Sequence, residues 1–141
     1  LQAIAGEIGV AMIPFGAHGP YPMFFRNLSD EDKQQASIQR RQHSYQNFSD
    51  YIKALKPKQV LPFGGGLVAG SDKALCYRYS GIGTRTDAVK HAKQSGLEFR
   101  EILLSEKCSY YTQTGEQNGA YVEKTHTSEK DYLLQIANLP I

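Results

Sequence analysis

The segment Leu55-Lys56-Pro57-Lys58-Gln59-Val60-Leu61-Pro62-Phe63-Gly64-Gly65-Gly66 restricts the fold more than any other part of this chain. A residue that precedes proline is pushed out of α geometry, so a helix arriving at Leu55 has to stop before Pro57. Val60 and Leu61 then read as a short apolar strand, and the glycines between Gly64 and Gly70 suit neither helix nor strand. Helix, strand and glycine loop in immediate succession point to an α/β fold. In such folds ligands bind at the carboxyl ends of strands, which makes this loop the first place to look for chemistry.

The rest of the chain extends the pattern. Residues 8–14 are mostly apolar and read as a strand buried on both faces, with a short buried helix as the alternative. Gly16, Gly19, Pro20 and Pro22 force an irregular loop. Ser29 is a good N-cap, Asp30, Glu31 and Asp32 suit the positive end of a helix dipole, and Tyr45, Phe48, Ile52 and Leu55 recur at helical spacing. One long helix ending before Pro57 is expected. Thr84 or Thr86 can cap a second helix through Ala88, Val89 and Ala92, which Gly96 stops. Residues 99–104 look like a strand. Asn118-Gly119 is a hairpin signal between Tyr110-Tyr111-Thr112 and Ala120-Tyr121-Val122, which would add an antiparallel edge to the sheet. Ser128 opens a last helix through Leu133, Leu134 and Ile136. The expected class is therefore α/β, a mixed sheet with helices on its outer face.

With 141 residues, 40% of them hydrophobic, the chain can bury one core, so residues 1–141 are expected to form a single domain or the carboxyl-terminal portion of a larger one. The opening Leu1-Gln2-Ala3-Ile4-Ala5 favours a segment of a longer polypeptide. Sixteen basic and 14 acidic residues leave a net charge of +2, without the basic footprint of a protein that binds nucleic acid or an anionic membrane. No apolar run approaches the roughly 20 residues of a membrane span, and the amino terminus lacks the features of a signal peptide, so the cytoplasm is the expected compartment. Cys76 and Cys108 are too few for a disulfide scaffold and fit no metal-binding spacing, so free thiols are expected.

Three loops carry candidate chemistry. The loop over residues 15–25 combines close backbone approach at Gly16 and Gly19 with the imidazole of His18 and the phenol of Tyr21, at the end of a strand. Arg26 follows as an anion contact. The Pro62-Phe63-Gly64-Gly65-Gly66 loop offers backbone N–H groups to a phosphate or carboxylate, or else is only a tight turn. Ser80-Gly81-Ile82-Gly83-Thr84-Arg85 could hold an anion at a helix start, or simply cap it. Arg26, Arg40, Arg41 and His43 suggest either a basic anion site or a solvated face; helical spacing puts Arg41 beside Tyr45 and points Arg40 elsewhere, which favours the solvated face. His91 and His126 bear no spacing relation to other ligands and read as structural or exposed. Neither cysteine has a neighbouring histidine, and no Ser-His-Asp order emerges.

Two of these motifs also carry a family resemblance. The Lys56-Pro57 turn into a strand ending Pro62-Phe63-Gly64 resembles the last core strand of metallo-β-lactamase-fold hydrolases, in which Pro-x-His delivers a metal ligand; Gly64 stands in the place of that histidine. Ile8-Gly9-Val10-Ala11-Met12-Ile13-Pro14-Phe15-Gly16-Ala17 is similar to the family's penultimate strand, which runs into an active-site loop. The nearest subgroup comprises ascorbate-phosphate lactonases and CMP-N-acetylneuraminate hydroxylases, whose last strand can end in Pro-Phe-Ala-Gly. The likeness covers roughly residues 4–115. The His-x-His-x-Asp-His motif, which carries most of the family's metal ligands, does not occur.

The resemblance implies one βα layer of a four-layer αββα sandwich, its carboxyl-terminal half. The absent amino-terminal half would carry zinc, iron or manganese, although a glycine in place of the final histidine argues against an ordinary dinuclear zinc site. The implied reaction is attack of a metal-activated hydroxide on a phosphoester, lactone or amide. His18, Tyr21, Arg26, Phe63, Gly64, Gly65 and Gly66 would contact a small-molecule substrate. An isolated half would expose its inner sheet face, to be covered by the amino-terminal half or by a second copy, or else removed by a compact rearrangement. Two rivals stand beside this expectation: a non-catalytic binding or dimerisation module, and a nucleotide-sugar-related enzyme of the hydroxylase-like subgroup.

Overall fold

The computed structural model of the protein describes residues 6–16, 19–65, 68–123 and 126–139. The chain divides into two compact units, one formed by Leu1–Phe15, Tyr45–Gly64 and Thr84–Glu123, the other by Gly16–Ser44, Gly65–Gly83 and Lys124–Ile141. The architecture is mixed α/β, with a small parallel sheet and a separate antiparallel one.

In the first unit, β1 (Val10–Pro14) is followed in sequence by a long helix, α1 (Asp30–Leu55), whose residues 45–55 belong here, and by β2 (Gln59–Phe63). Helix α2 (Arg85–Gln94) and a short β3 (Arg100–Glu101) complete a parallel sheet of order β1-β2-β3, with Ala11 opposite Val60 and Val60 opposite Glu101. An order that never reverses has a consequence: successive right-handed crossovers return along the same face. Burial agrees with it. Ala11, Ile13, Phe15, Val60 and Pro62 alternate onto one buried face, each large side chain contributing about 2 kcal/mol. Helix α2 buries Ala88, Val89 and Ala92, and its His91 ring lies 5.9 Å from the Tyr45 ring of α1. Lys93 of α2 pairs with Glu101, which shares the face of Val60.

The opposite face is open. Met12 is 63% exposed and Phe63 40%, with Val10 and Leu61 half-buried between them. The expectation of a first strand buried on both faces is thus corrected: β1 is covered on one side only, because this unit returns its helices to a single face.

Capping accounts for the helix limits. Ser29 Oγ accepts from the Asp32 N–H at 3.1 Å and donates to its carboxylate at 2.9 Å, ahead of three acidic residues in the first turn of α1. The helix closes with the Lys56 N–H on the Ile52 carbonyl at 2.7 Å, Lys56 turning to φ 46° just before Pro57. Thr84 caps α2 by accepting from the Asp87 N–H at 3.0 Å, and Gly96 ends it at φ 80°.

The hairpin differs from its expected form. β4 (Ser109–Tyr111) pairs with β5 (Glu116–Asn118), Tyr110 opposite Gln117, so the turn is residues 112–115. Gly115, at φ 73°, supplies the left-handed position and donates to the Tyr111 carbonyl at 2.7 Å. Asn118-Gly119 closes no turn; a Cβ on Gly119 would stand 2.9 Å from Cys108 Sγ, so this glycine lets the chain pass the start of β4. Nor does the hairpin extend the parallel sheet. It forms its own sheet, tied back by the Tyr110 hydroxyl on Gln59, by Arg100 on the Gly115 carbonyl at 3.3 Å and by Gln117 on the Leu103 carbonyl at 3.1 Å. Gln59 and Arg100 share a register position on the open face, so the hairpin is tied to its amino-terminal end.

The second unit holds residues 30–44 of α1, a 3-10 helix at Ser71–Tyr79 that the sequence did not announce, and α3 (His126–Ala137), which starts ahead of Ser128. The 3-10 helix and α3 pack together, with Ala74 and Leu133 buried. Arg78 reaches Asp30 at 3.5 Å while its guanidinium lies 4.7 Å from the centre of the buried Tyr79 ring. Gly81, at φ 69°, lies against α1 so closely that a Cβ would meet the Ser37 carbonyl at 2.6 Å. Among the described residues, no helix is long and apolar enough to cross a membrane.

Candidate functional site

In the first unit the parallel register brings the carboxyl ends of β1 and β2 to one edge. Pro14 stands opposite Phe63, and the Phe15 N–H donates to the Phe63 carbonyl at 3.2 Å. The chain leaves β2 through Gly64 at φ 91°, a conformation that a side chain would strain. The same edge receives the start of α2, since the Arg85 guanidinium binds the Leu104 carbonyl just beyond β3. This resolves the turn before α2 in favour of capping: Thr84 holds the helix end, Arg85 is committed to a carbonyl, and the Ile82 N–H bonds Ser80 Oγ at 3.2 Å.

In the second unit, residues 19–26 form a held loop. Phe24 N–H bonds the Pro20 carbonyl at 3.1 Å, Phe25 N–H bonds that of Pro22 at 3.2 Å, and Leu28 N–H bonds that of Phe25 at 3.4 Å. Pro22 and Met23 are buried beneath it, whereas Tyr21, Phe24, Phe25 and Arg26 are exposed. The Tyr21 and Phe25 rings meet edge to face, centroids 5.1 Å apart at 84°. Arg40 of α1 borders the loop, its Nη2 3.6 Å from the place a Cβ on Gly19 would take.

Of the expected substrate contacts, Phe63 and Gly64 therefore belong to the first unit, and Tyr21, Arg26 and Gly65 to the second. His18 and Gly66 lie outside the described residues. Phe24 and Phe25 escaped the sequence reading as individual contacts; the run Tyr21-Pro22-Met23-Phe24-Phe25-Arg26 held the signal, three rings and a cation in a loop rich in turn formers.

His91 takes a structural role. Ser49 Oγ donates its one proton to the Tyr45 carbonyl at 3.0 Å, so across the 3.2 Å contact with His91 Nδ1 it can only accept. With its proton on that carbonyl, the serine has none to give the ring. The Cys76 and Cys108 thiols are free. A shallow depression of about 510 Å³ is lined by Thr86, Val89, Lys90, Lys93, Gln94 and Glu101, and a smaller one of about 140 Å³ by residues that include Ser49, Asp50 and Lys53. Neither is lined by an expected contact. The Glu101 carboxyl is held below the ordinary glutamate range, chiefly by its hydrogen bond from Lys93.

Among the described residues no three His, Cys, Asp or Glu side chains converge as a metal ion requires. Comparison with protein families, with curated proteins and with solved structures found no match.

Proposed function

We propose that this chain is the substrate-pocket half of a metal-dependent hydrolase of the metallo-β-lactamase type, one βα layer of an αββα sandwich. The observation that carries the reading is the one-sided sheet: Ile13 and Val60 are buried on the face where α2 packs against β2, while Met12, Leu61 and Phe63 line an open apolar face, the arrangement expected of a layer that meets a second sheet. Support also comes from β1 and β2 ending in register at glycine-bearing loops. In this reading Tyr21 and Arg26 of the second unit contact a small-molecule phosphoester, lactone or amide, Arg26 by its charge. The metal belongs to the amino-terminal half, and this chain's residues bind and orient rather than activate water. Elemental analysis and ester hydrolysis assays on the full-length protein and on this chain test it. Stoichiometric zinc, iron or manganese with hydrolysis in the longer form alone is the expected outcome; metal and hydrolysis in neither would overturn it.

The open face also favours a second reading, a non-catalytic module that docks a second copy through Met12 and Phe63. Sedimentation of the chain alone separates the two: a dimer abolished by Met12→Glu supports the module, and a monomer removes it.

A further inference from the structure

We infer that residues 19–26 form a binding platform for a small organic anion with a flat π-face, an aromatic or heterocyclic phosphate or carboxylate. The inference deepens the substrate-contact reading above and rests on it. Three aromatic rings, Tyr21, Phe24 and Phe25, stand 41–45% exposed on one short loop. Rings gathered on one loop, rather than scattered singly over the surface, are the kind of exposed apolar area that marks a binding place. The loop is also already held, by Pro22 and Met23 buried beneath it and by its three backbone hydrogen bonds, so a ligand need not order it.

The charges narrow the ligand. Arg26, directly after Phe25, has no hydrogen-bond or ion-pair partner among the described residues, and the Arg40 guanidinium borders the same loop at Gly19. A purely apolar ligand would gain little beside the Arg26 guanidinium, and inorganic phosphate would have no use for three rings. A molecule that stacks a ring on Tyr21 or Phe25 and turns an anionic group toward Arg26 uses both.

The test is a titration of the ¹⁵N-labelled full chain with AMP, adenosine and ribose 5-phosphate, followed by amide shifts. AMP should saturate the shifts of residues 19–26 with a Kd on the order of 1 mM. Adenosine and ribose 5-phosphate should each bind roughly tenfold more weakly, and Tyr21→Ala and Arg26→Ala should each weaken AMP by a similar factor while Tyr21→Phe does not. Ribose 5-phosphate equal to AMP would reduce the site to a charge contact, adenosine equal to AMP to an apolar patch, and shifts absent or elsewhere would remove it; each overturns the inference. Binding is read without turnover, so the two proposals fail separately. AMP binding in a full-length protein that hydrolyses no ester sinks the hydrolase reading alone, and hydrolysis with a loop that ignores all three probes sinks this one alone.

Discussion

Ile13 and Met12 are neighbours on β1, similar in size and apolarity, yet Ile13 is 2% exposed and Met12 63%. Val60 and Leu61 repeat the contrast on β2, the first fully buried and the second only partly. The strands are the same on both faces; the difference is that helices return to one of them. A run of apolar residues therefore records what a strand can bury, whereas the layers around it decide what it does bury.

The comparison can be broken most directly by truncating both neighbours. Ile13→Ala should cost about 3 kcal/mol in urea unfolding, since it empties a filled position, and Met12→Ala less than about 0.5 kcal/mol. Equal losses would mean that Met12 is covered in solution. A smaller effect should follow from weakening the covering layer without touching the sheet. Thr84→Ala removes the α2 cap and should cost about 1 kcal/mol, with Thr84→Ser largely restoring it. The smallest effect lies at the rim of the covered face, in the Lys93–Glu101 pair. Because the Glu101 carboxyl is held low in the folded chain, its contribution is fully present above about pH 4.5 and is lost as pH falls through the lower folded value. Glu101→Gln should therefore flatten the acid limb of the stability curve slightly, and an unchanged limb would show that the pair is too exposed to matter.

Much of the fold was legible where one residue type does a local job. Ser29 and Thr84 cap helices because their oxygens reach an N–H three residues on, Gly96 stops one because it accepts a left-handed conformation, and Pro57 bars another from continuing. Features decided by distant contacts were less legible. Asn118-Gly119 has the composition of a hairpin turn, but Gly115 supplies the left-handed residue and Gly119 is needed for its closeness to Cys108. The 3-10 helix over Ser71–Tyr79 buries just Ala74 and Tyr79 of its nine residues, too little to mark a helix in the sequence, and Arg78 beside the Tyr79 ring reaches back to Asp30. For the candidate site, the sequence indicated the loops after β1 and β2 through their glycines and prolines. It could not show that Tyr21, Phe24 and Phe25 face outward while Met23 turns in, since that depends on which side chains the unit beneath them accepts.

The chain has two methionines, and its open sheet face makes them unlike reagents. Met12 presents its thioether to water and Met23 does not. Dilute peroxide should convert the first to the sulfoxide and spare the second, a polar mark that mass spectrometry can count. Whatever comes to lie on that face, a second sheet or another copy of the chain, would shield Met12 while leaving the slow reaction of Met23 as the internal clock, so the half-open layer carries its own footprinting label.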